Sequence, residues 1–323
     1  MIYTKPVISK LLKRKEKLFR LWRIILISIF IFVFVYFLPL FFLTEEPKIV
    51  NKNVKRIKNE NEVSILSYNV LGGEYADKIL GELKTVIDKP NIACFQEFPE
   101  KKSSSSKFEQ YFGNNYLFEK SLSLILPKRK MGEATFYNNK KFRLQKSKIL
   151  HLPTPKWTIW EKMFTWSLSD GIYGPYDRTA LITVLEYNRI PLVIVNTHLA
   201  WEGGKKHQIR QLEHILKEIK ELNIKGKVVL CGDFNLNIIS NKASQPFLEK
   251  LKQEGFYDMT SNMPYSADLA SPFSFPEDKT RVFKYTLKSI VRFLGKIGMN
   301  TKRKIDYIFA KDIKNTFSQT FEI

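Results

Sequence analysis

Five apolar stretches of this 323-residue chain carry, at or near one end, polar residues that packing alone does not call for. VSILSYNV brings Asn69, NIACFQEF brings Gln96 and Glu97, and PLVIVNTHL brings Asn196 and His198. KVVLCGDFN brings Asp233 and Asn235, and KIDYIFA brings Asp306. A carboxylate or amide at the end of a buried strand stands at the rim of a sheet, where it is paired, metal-bound or wet. Singly, each has an ordinary explanation: Asn69 caps a turn, His198 makes a polar contact, Asp306 forms a strand-end ion pair. Several together supply the hard oxygen ligands that Mg2+ prefers, plus a histidine, and point to one convergent metal-assisted site.

The elements that must position these residues alternate between strand and helix. Tyr75–Asp88 has helical spacing at Ile79, Leu83 and Val86–Ile87, and His207–Leu222 turns Ile209, Leu212, Ile215, Leu216 and Ile219 inward. ATFYN and ALITVLEY read as further strands, and KKSSSSK reads as a loop. Strands mixed with helices give an α/β class. Cys94 and Cys231 each lie in an apolar run and read as free core thiols, while His207 and His214 read as helix-surface imidazoles.

SYNV, FQEF, NTHL, GDFN and IDYIF, in this order, resemble the endonuclease/exonuclease/phosphatase superfamily, over roughly Val63 to Ile323. That group spans deoxyribonucleases, neutral sphingomyelinases and inositol-polyphosphate 5-phosphatases. The resemblance implies a four-layered α/β sandwich of two packed mixed β-sheets and a Mg2+-dependent phosphoester hydrolase, with Mn2+ as the other ion. It implies Glu97 as metal ligand with Asn69 beside it, Asp233 orienting or deprotonating the attacking water, and Asn235, two residues on and so on the same strand face, bonding a phosphate oxygen. His198 resembles the phosphate-contacting histidine of the nuclease, sphingomyelinase and inositol-phosphatase branches; abasic-site endonucleases carry a different motif there. Asp306 resembles the aspartate that orients a catalytic histidine. Arg178, which begins RTALITVL, matches a family arginine that contacts substrate; a surface ion pair is the alternative.

Family members finish with Ser-Asp-His soon after the IDYIF strand, whereas no histidine follows His214 here. The expectation is a domain truncated before that segment; a catalytically crippled form is the alternative. Three readings therefore stand: a hydrolase acting on a lipid headgroup or similar phosphoester, a membrane-tethered nuclease, and a non-catalytic binding protein on a decayed hydrolase fold.

Charge and hydropathy address location. Lys plus Arg number 53 against 32 acids, a formal +21. Residues 1–23 hold eight Lys/Arg and one Glu, and Lys279–Lys304 holds nine without an acid. The remainder is close to balanced, which argues against a uniformly basic nucleic-acid surface. Ile24–Leu43 is twenty residues without a charge, the length of a bilayer span, and is expected to be one transmembrane helix. The basic residues before it favour a cytoplasmic N-terminus with the domain on the outer side. The expected organisation is a basic segment 1–23, an anchor 24–43, a linker 44–62 and the domain 63–323.

Two stretches bear on substrate choice. His151–Tyr176 holds Trp157, Trp160, Phe164, Trp166, Tyr173 and Tyr176, either core under a long loop or a substrate rim or interfacial belt. As a helix, residues 282–297 would set Phe283, Leu287, Ile290, Val291, Leu294 and Ile297 against Lys284, Lys288, Arg292 and Lys296. That pattern suits either the protein's own core or an anionic membrane face.

Overall fold

The computed structural model describes residues 62–73, 75–86, 89–121, 123–126, 129–154, 178–200, 203–236, 244–263, 266–268 and 302–313. The chain divides into two units, Met1–Glu45 and Glu46–Ile323, and the described residues belong to the second. The expected anchor 24–43, the aromatic residues Trp157–Tyr176 and the basic stretch 282–297 lie outside them. Among the described residues no helix is long and apolar enough to cross a membrane.

Two mixed sheets form the centre. The first contains β1 (Ile65–Asn69), β2 (Ile92–Pro99), β3 (Tyr116–Lys120), β4 (Ser123–Leu126) and β5 (Arg129–Asn138), in the order β1-β2-β5-β3 with β4 also on β5. The second contains β6 (Arg143–His151), β7 (Thr179–Tyr187), β8 (Ile190–His198), β9 (Lys227–Asp233), β10 (Tyr257–Asp258) and β13 (Asp306–Lys311), in the order β10-β13-β9-β8-β7-β6. A separate ribbon pairs β11 (Ala267–Asp268) with β12 (Lys302–Arg303). β1 with β2 and β8 with β9 are parallel; the other pairs are antiparallel. Helices α1 (Ala76–Val86), α2 (Lys102–Phe112), α3 (Gly204–Glu221) and α4 (Gln245–Gln253) complete the domain.

The period-2 alternation of the strands assigns each side chain to a layer. In β2, Ala93 and Phe95 pack with Ile79, Leu83, Phe108 and Phe112 of α1 and α2. Their neighbours Ile92 and Cys94 turn the other way, against Ile194, Val229 and Cys231 of the second sheet. In β8 and β9, Val193, Val195, Val228 and Leu230 face Leu212, Ile215 and Leu251 of α3 and α4. The layers thus run helix, sheet, sheet, helix, and both cysteines are free and buried between the sheets.

Two local readings change, and one strand gave no signal in the sequence. KKSSSSK is not a loop: from Lys102 onward it is the first part of α2. Serine is a poor helix former, yet Phe108 and Phe112 sit at i and i+4 and pack on Phe95, with ring centroids 5.2 and 5.9 Å away. Burial of two aromatic rings, worth on the order of 2 kcal/mol each, outweighs the propensity of a serine run. β6 (RLQKSKILH) shows no apolar alternation because it is an edge strand with most residues exposed. His207 is buried rather than on the helix surface, since the chain at Pro153 lies over the start of α3, its carbonyl accepting from Gln211 Nε2 at 3.0 Å.

Candidate active site

The inter-sheet layer changes from apolar to polar at one end, and the expected residues meet there. Asn69 ends β1, His198 ends β8 and Asp233 ends β9. His198 lies opposite Asp233 in the β8–β9 register, and Asp306 lies opposite Asp233 in the β13–β9 register. Glu97 reaches the same place by a different device. A bulge between Phe95 and Phe98 interrupts β2, and Glu97 itself has φ 50°, a left-handed backbone that non-glycine residues seldom adopt. The bulge re-aims the side chain, and such local strain persists only where the surroundings over-determine it.

Asn69 joins the two sheets at the site. Its Nδ2 donates to Glu97 Oε1 at 3.2 Å and to Asp233 Oδ2 at 3.2 Å, across 164 residues of sequence. Its Oδ1 accepts from the backbone N–H of Leu71 at 3.0 Å, and this turns the amide nitrogen toward the carboxylates. Asp233 Oδ1 accepts from the backbone N–H of Asn235 at 3.0 Å, so both carboxylate oxygens are fixed. β9 ends at Asp233, so Asn235 is not a strand residue on the same face. It has φ 51°, and its Nδ2 donates to Leu199 O at 2.8 Å.

His198 stands between the acids, Nδ1 3.7 Å from Glu97 Oε1 and Nε2 3.5 Å from Asp233 Oδ2. These separations exceed an N–H···O hydrogen bond. Burial first, and then the Arg178 charge, push the imidazole well below its usual range, so it is neutral near pH 7. Burial raises Asp233 to about 6, with Glu97 adding to the rise; the bonds from Asn69 and Asn235 and the Arg178 charge oppose it. Asp306 is pushed well above the carboxylate range by burial and then by Asp233, while Ser266 works against the rise. The Asp306 backbone N–H donates to Ser266 Oγ at 2.9 Å, and among the described residues Oδ1 has no hydrogen-bond partner. Arg178, immediately before β7, is 6% exposed, so the surface ion-pair reading falls. Its charge acts on His198, Asp233 and a further buried acid, Glu133.

Gln96 and Asn196, also polar at strand ends, serve the architecture. Gln96 Nε2 donates to Asn196 Oδ1 at 2.7 Å, and Asn196 Nδ2 donates to Phe95 O and Ala134 O at 3.0 Å each. This bolt ties the sheets one residue from Glu97 and two from His198. Gly232 allows β8 and β9 to approach beside it: a Cβ there would stand 1.8 Å from Thr197 O.

No protein-family model matches the sequence, and no curated protein does. Solved structures do match. A mannosyl-6-phosphatase of Bacteroides thetaiotaomicron superposes with a TM-score of 0.52 at 16% identity, over 78% of this chain and 86% of that one. An endonuclease/exonuclease/phosphatase family protein of the same species gives 0.51 at 15%, over 77% and 83%. One from Bacteroides vulgatus gives 0.50 at 17%, over 77% and 87%. The chain has the endonuclease/exonuclease/phosphatase fold. Within that fold the five motifs converge at one rim of the inter-sheet layer.

Two further groups near the site escaped sequence reading. Glu133 lies inside β5, 2% exposed, in the run GEATFY, where an acid interrupts an apolar strand. Gly232 was visible only as part of GDFN. An acid inside a strand otherwise fit for burial was the available signal for Glu133.

Proposed function

We propose that this domain is a Mg2+-dependent phosphoester hydrolase, held at a membrane by residues 24–43 with its site on the outer side. The observation that carries the reading is the Asn69 amide bonded at once to Glu97 and Asp233, one carboxylate from each sheet, with His198 beside both. Acids drawn this close raise one another's pKa and are stabilised by a cation.

The donor set fits Mg2+ or Mn2+ better than zinc. Among the described residues no group of three or more His, Cys, Asp and Glu is arranged to hold a metal ion. Structural and catalytic zinc requires three or four protein ligands, whereas Mg2+ binds through one or two carboxylates and completes its shell with water and substrate phosphate. Glu97, its side chain 23% exposed, is the open carboxylate, with Asn69 next to it. A bound ion would neutralise charge on the phosphoryl oxygens.

The chain's own groups divide the remaining work. Asp233, ionised above about pH 6 and fixed at both oxygens, accepts the proton of the attacking water. Neutral His198 presents a ring N–H to a phosphoryl oxygen, and the buried Arg178 supplies positive charge to the site. The nine basic residues of Lys279–Lys304 favour an anionic surface or polymer as substrate, so a membrane-tethered nuclease is the second reading.

The test is hydrolysis by the full chain in detergent micelles of p-nitrophenyl phosphate, phospholipid and single-stranded DNA, with Mg2+ and with EDTA. Glu97→Gln should abolish Mg2+-supported turnover, with circular dichroism unchanged. Full activity in EDTA refutes the metal assignment; turnover of DNA alone selects the nuclease. No turnover of any substrate, with phosphate still bound, selects a binding protein.

A further inference from the structure

Glu133 is a carboxyl group where the fold would accept an apolar side chain. Its neighbours Ala134, Thr135, Phe136 and Tyr137 are each at most 1% exposed. Burying a carboxyl group costs free energy unless specific partners compensate. Its partners are specific. The hydroxyls of Ser121 and Thr179 both donate to Glu133 Oε2 and lie 3.0 Å from each other. Ser121 is fixed in turn, since its Oγ accepts from Glu133 N at 3.0 Å and its N–H donates to Glu133 O at 2.8 Å.

These partners lead into the site. Thr179 is the first residue of β7 and the chain neighbour of Arg178, whose charge reaches Glu133, His198 and Asp233 alike. The carbonyl of Thr179 accepts from Thr197 Oγ1 at 3.1 Å, and Thr197 precedes His198. A carboxylate on the first sheet thus grips the segment of the second sheet that carries the site's buried cation.

We propose that Glu133 is a positioning residue for Arg178: by clamping Thr179, the next residue along the chain, it sets where that cation stands and so how tightly the site holds a phosphoryl group. The inference rests on the phosphoester reading above. Nothing in it requires Glu133 to touch substrate.

The test uses the full chain in detergent micelles at fixed Mg2+ and pH 8, where Glu133 is ionised, with inorganic phosphate as the probe and calorimetry as the readout. Glu133→Gln keeps the shape and removes the charge; it should weaken phosphate binding about tenfold, a misplaced cation being costly even for small displacements. Thr179→Val, which deletes one of the two hydroxyls and leaves the acid, should shift binding the same way by less. In an Arg178→Ala background, Glu133→Gln should change nothing further, because its effect passes through the arginine. Unchanged phosphate affinity in Glu133→Gln overturns the proposal. So does a full additional loss in the double variant, which would mean that Glu133 acts on the fold as a whole. Should Glu133→Gln not fold, Thr179→Val with and without Arg178→Ala decides by the same criterion. Wild-type protein that binds no phosphate removes the phosphoester reading and this inference with it, an outcome distinct from binding that ignores Glu133.

Discussion

The charge state of Glu133 makes a stability prediction independent of any activity. Burial is the largest influence on this carboxyl, lifting it from 4.5 to about 7 against the opposing bonds of Ser121 and Thr179 and the Arg178 charge. A folded pKa above the unfolded one means the native state holds the proton more tightly. The contribution is therefore fully present below pH 4.5 and is lost as pH rises through about 7. At about 1.4 kcal/mol per pH unit, the loss amounts to roughly 3 kcal/mol across that window. Glutamine at this position is neutral at every pH and has nothing to lose. Urea denaturation of wild type and Glu133→Gln, followed by circular dichroism without metal from pH 4 to pH 8, isolates the effect as a difference. Asp233, Asp306 and His198 titrate in both proteins and cancel. The stability of wild type relative to the variant should fall by about 3 kcal/mol between pH 4 and pH 8. Two parallel curves would show that Glu133 keeps the same protonation throughout, and the burial argument would fail.

Three further outcomes follow from geometry and charge. Gly232→Ala should lower stability by several kcal/mol and suppress turnover, because its Cβ meets the Thr197 backbone at 1.8 Å and must spread β8 from β9 beside His198. Gly81→Ala, in α1 with nothing within 4 Å of the new Cβ, should raise the melting temperature by an amount equivalent to about 0.5–1 kcal/mol, and a rise for both or a fall for both refutes the contrast. For the proposed orientation, protease added to intact cells should digest the domain and spare residues 1–23; a protected domain reverses it.

The site residues were legible because strand alternation exposes exceptions. A polar side chain at or near the end of an apolar run, as at Asn69, Glu97, His198, Asp233 and Asp306, stands out against a period of two. Their order along the chain pointed to the fold before any contact was known. The helix in Lys102–Phe112 was not legible, because the Phe95 ring that rewards Phe108 and Phe112 comes from another element. His207 and β6 were misjudged or missed for the same cause: a covering loop and an edge position are not written in local periodicity. Asn235 follows Asp233 by two residues, which reads as one strand face, but the turn after Asp233 sends it elsewhere.

Within an uninterrupted strand, local order along the chain determines which face each residue occupies, since alternation depends only on covalent geometry. Tertiary structure alone decided that Asn69 bonds both Glu97 and Asp233, that Arg178 is buried, and that Glu133 grips the segment beside it. Each depends on packing one sheet against another, where distances of about 3 Å join residues far apart in the chain, and no periodicity within a single segment encodes that register.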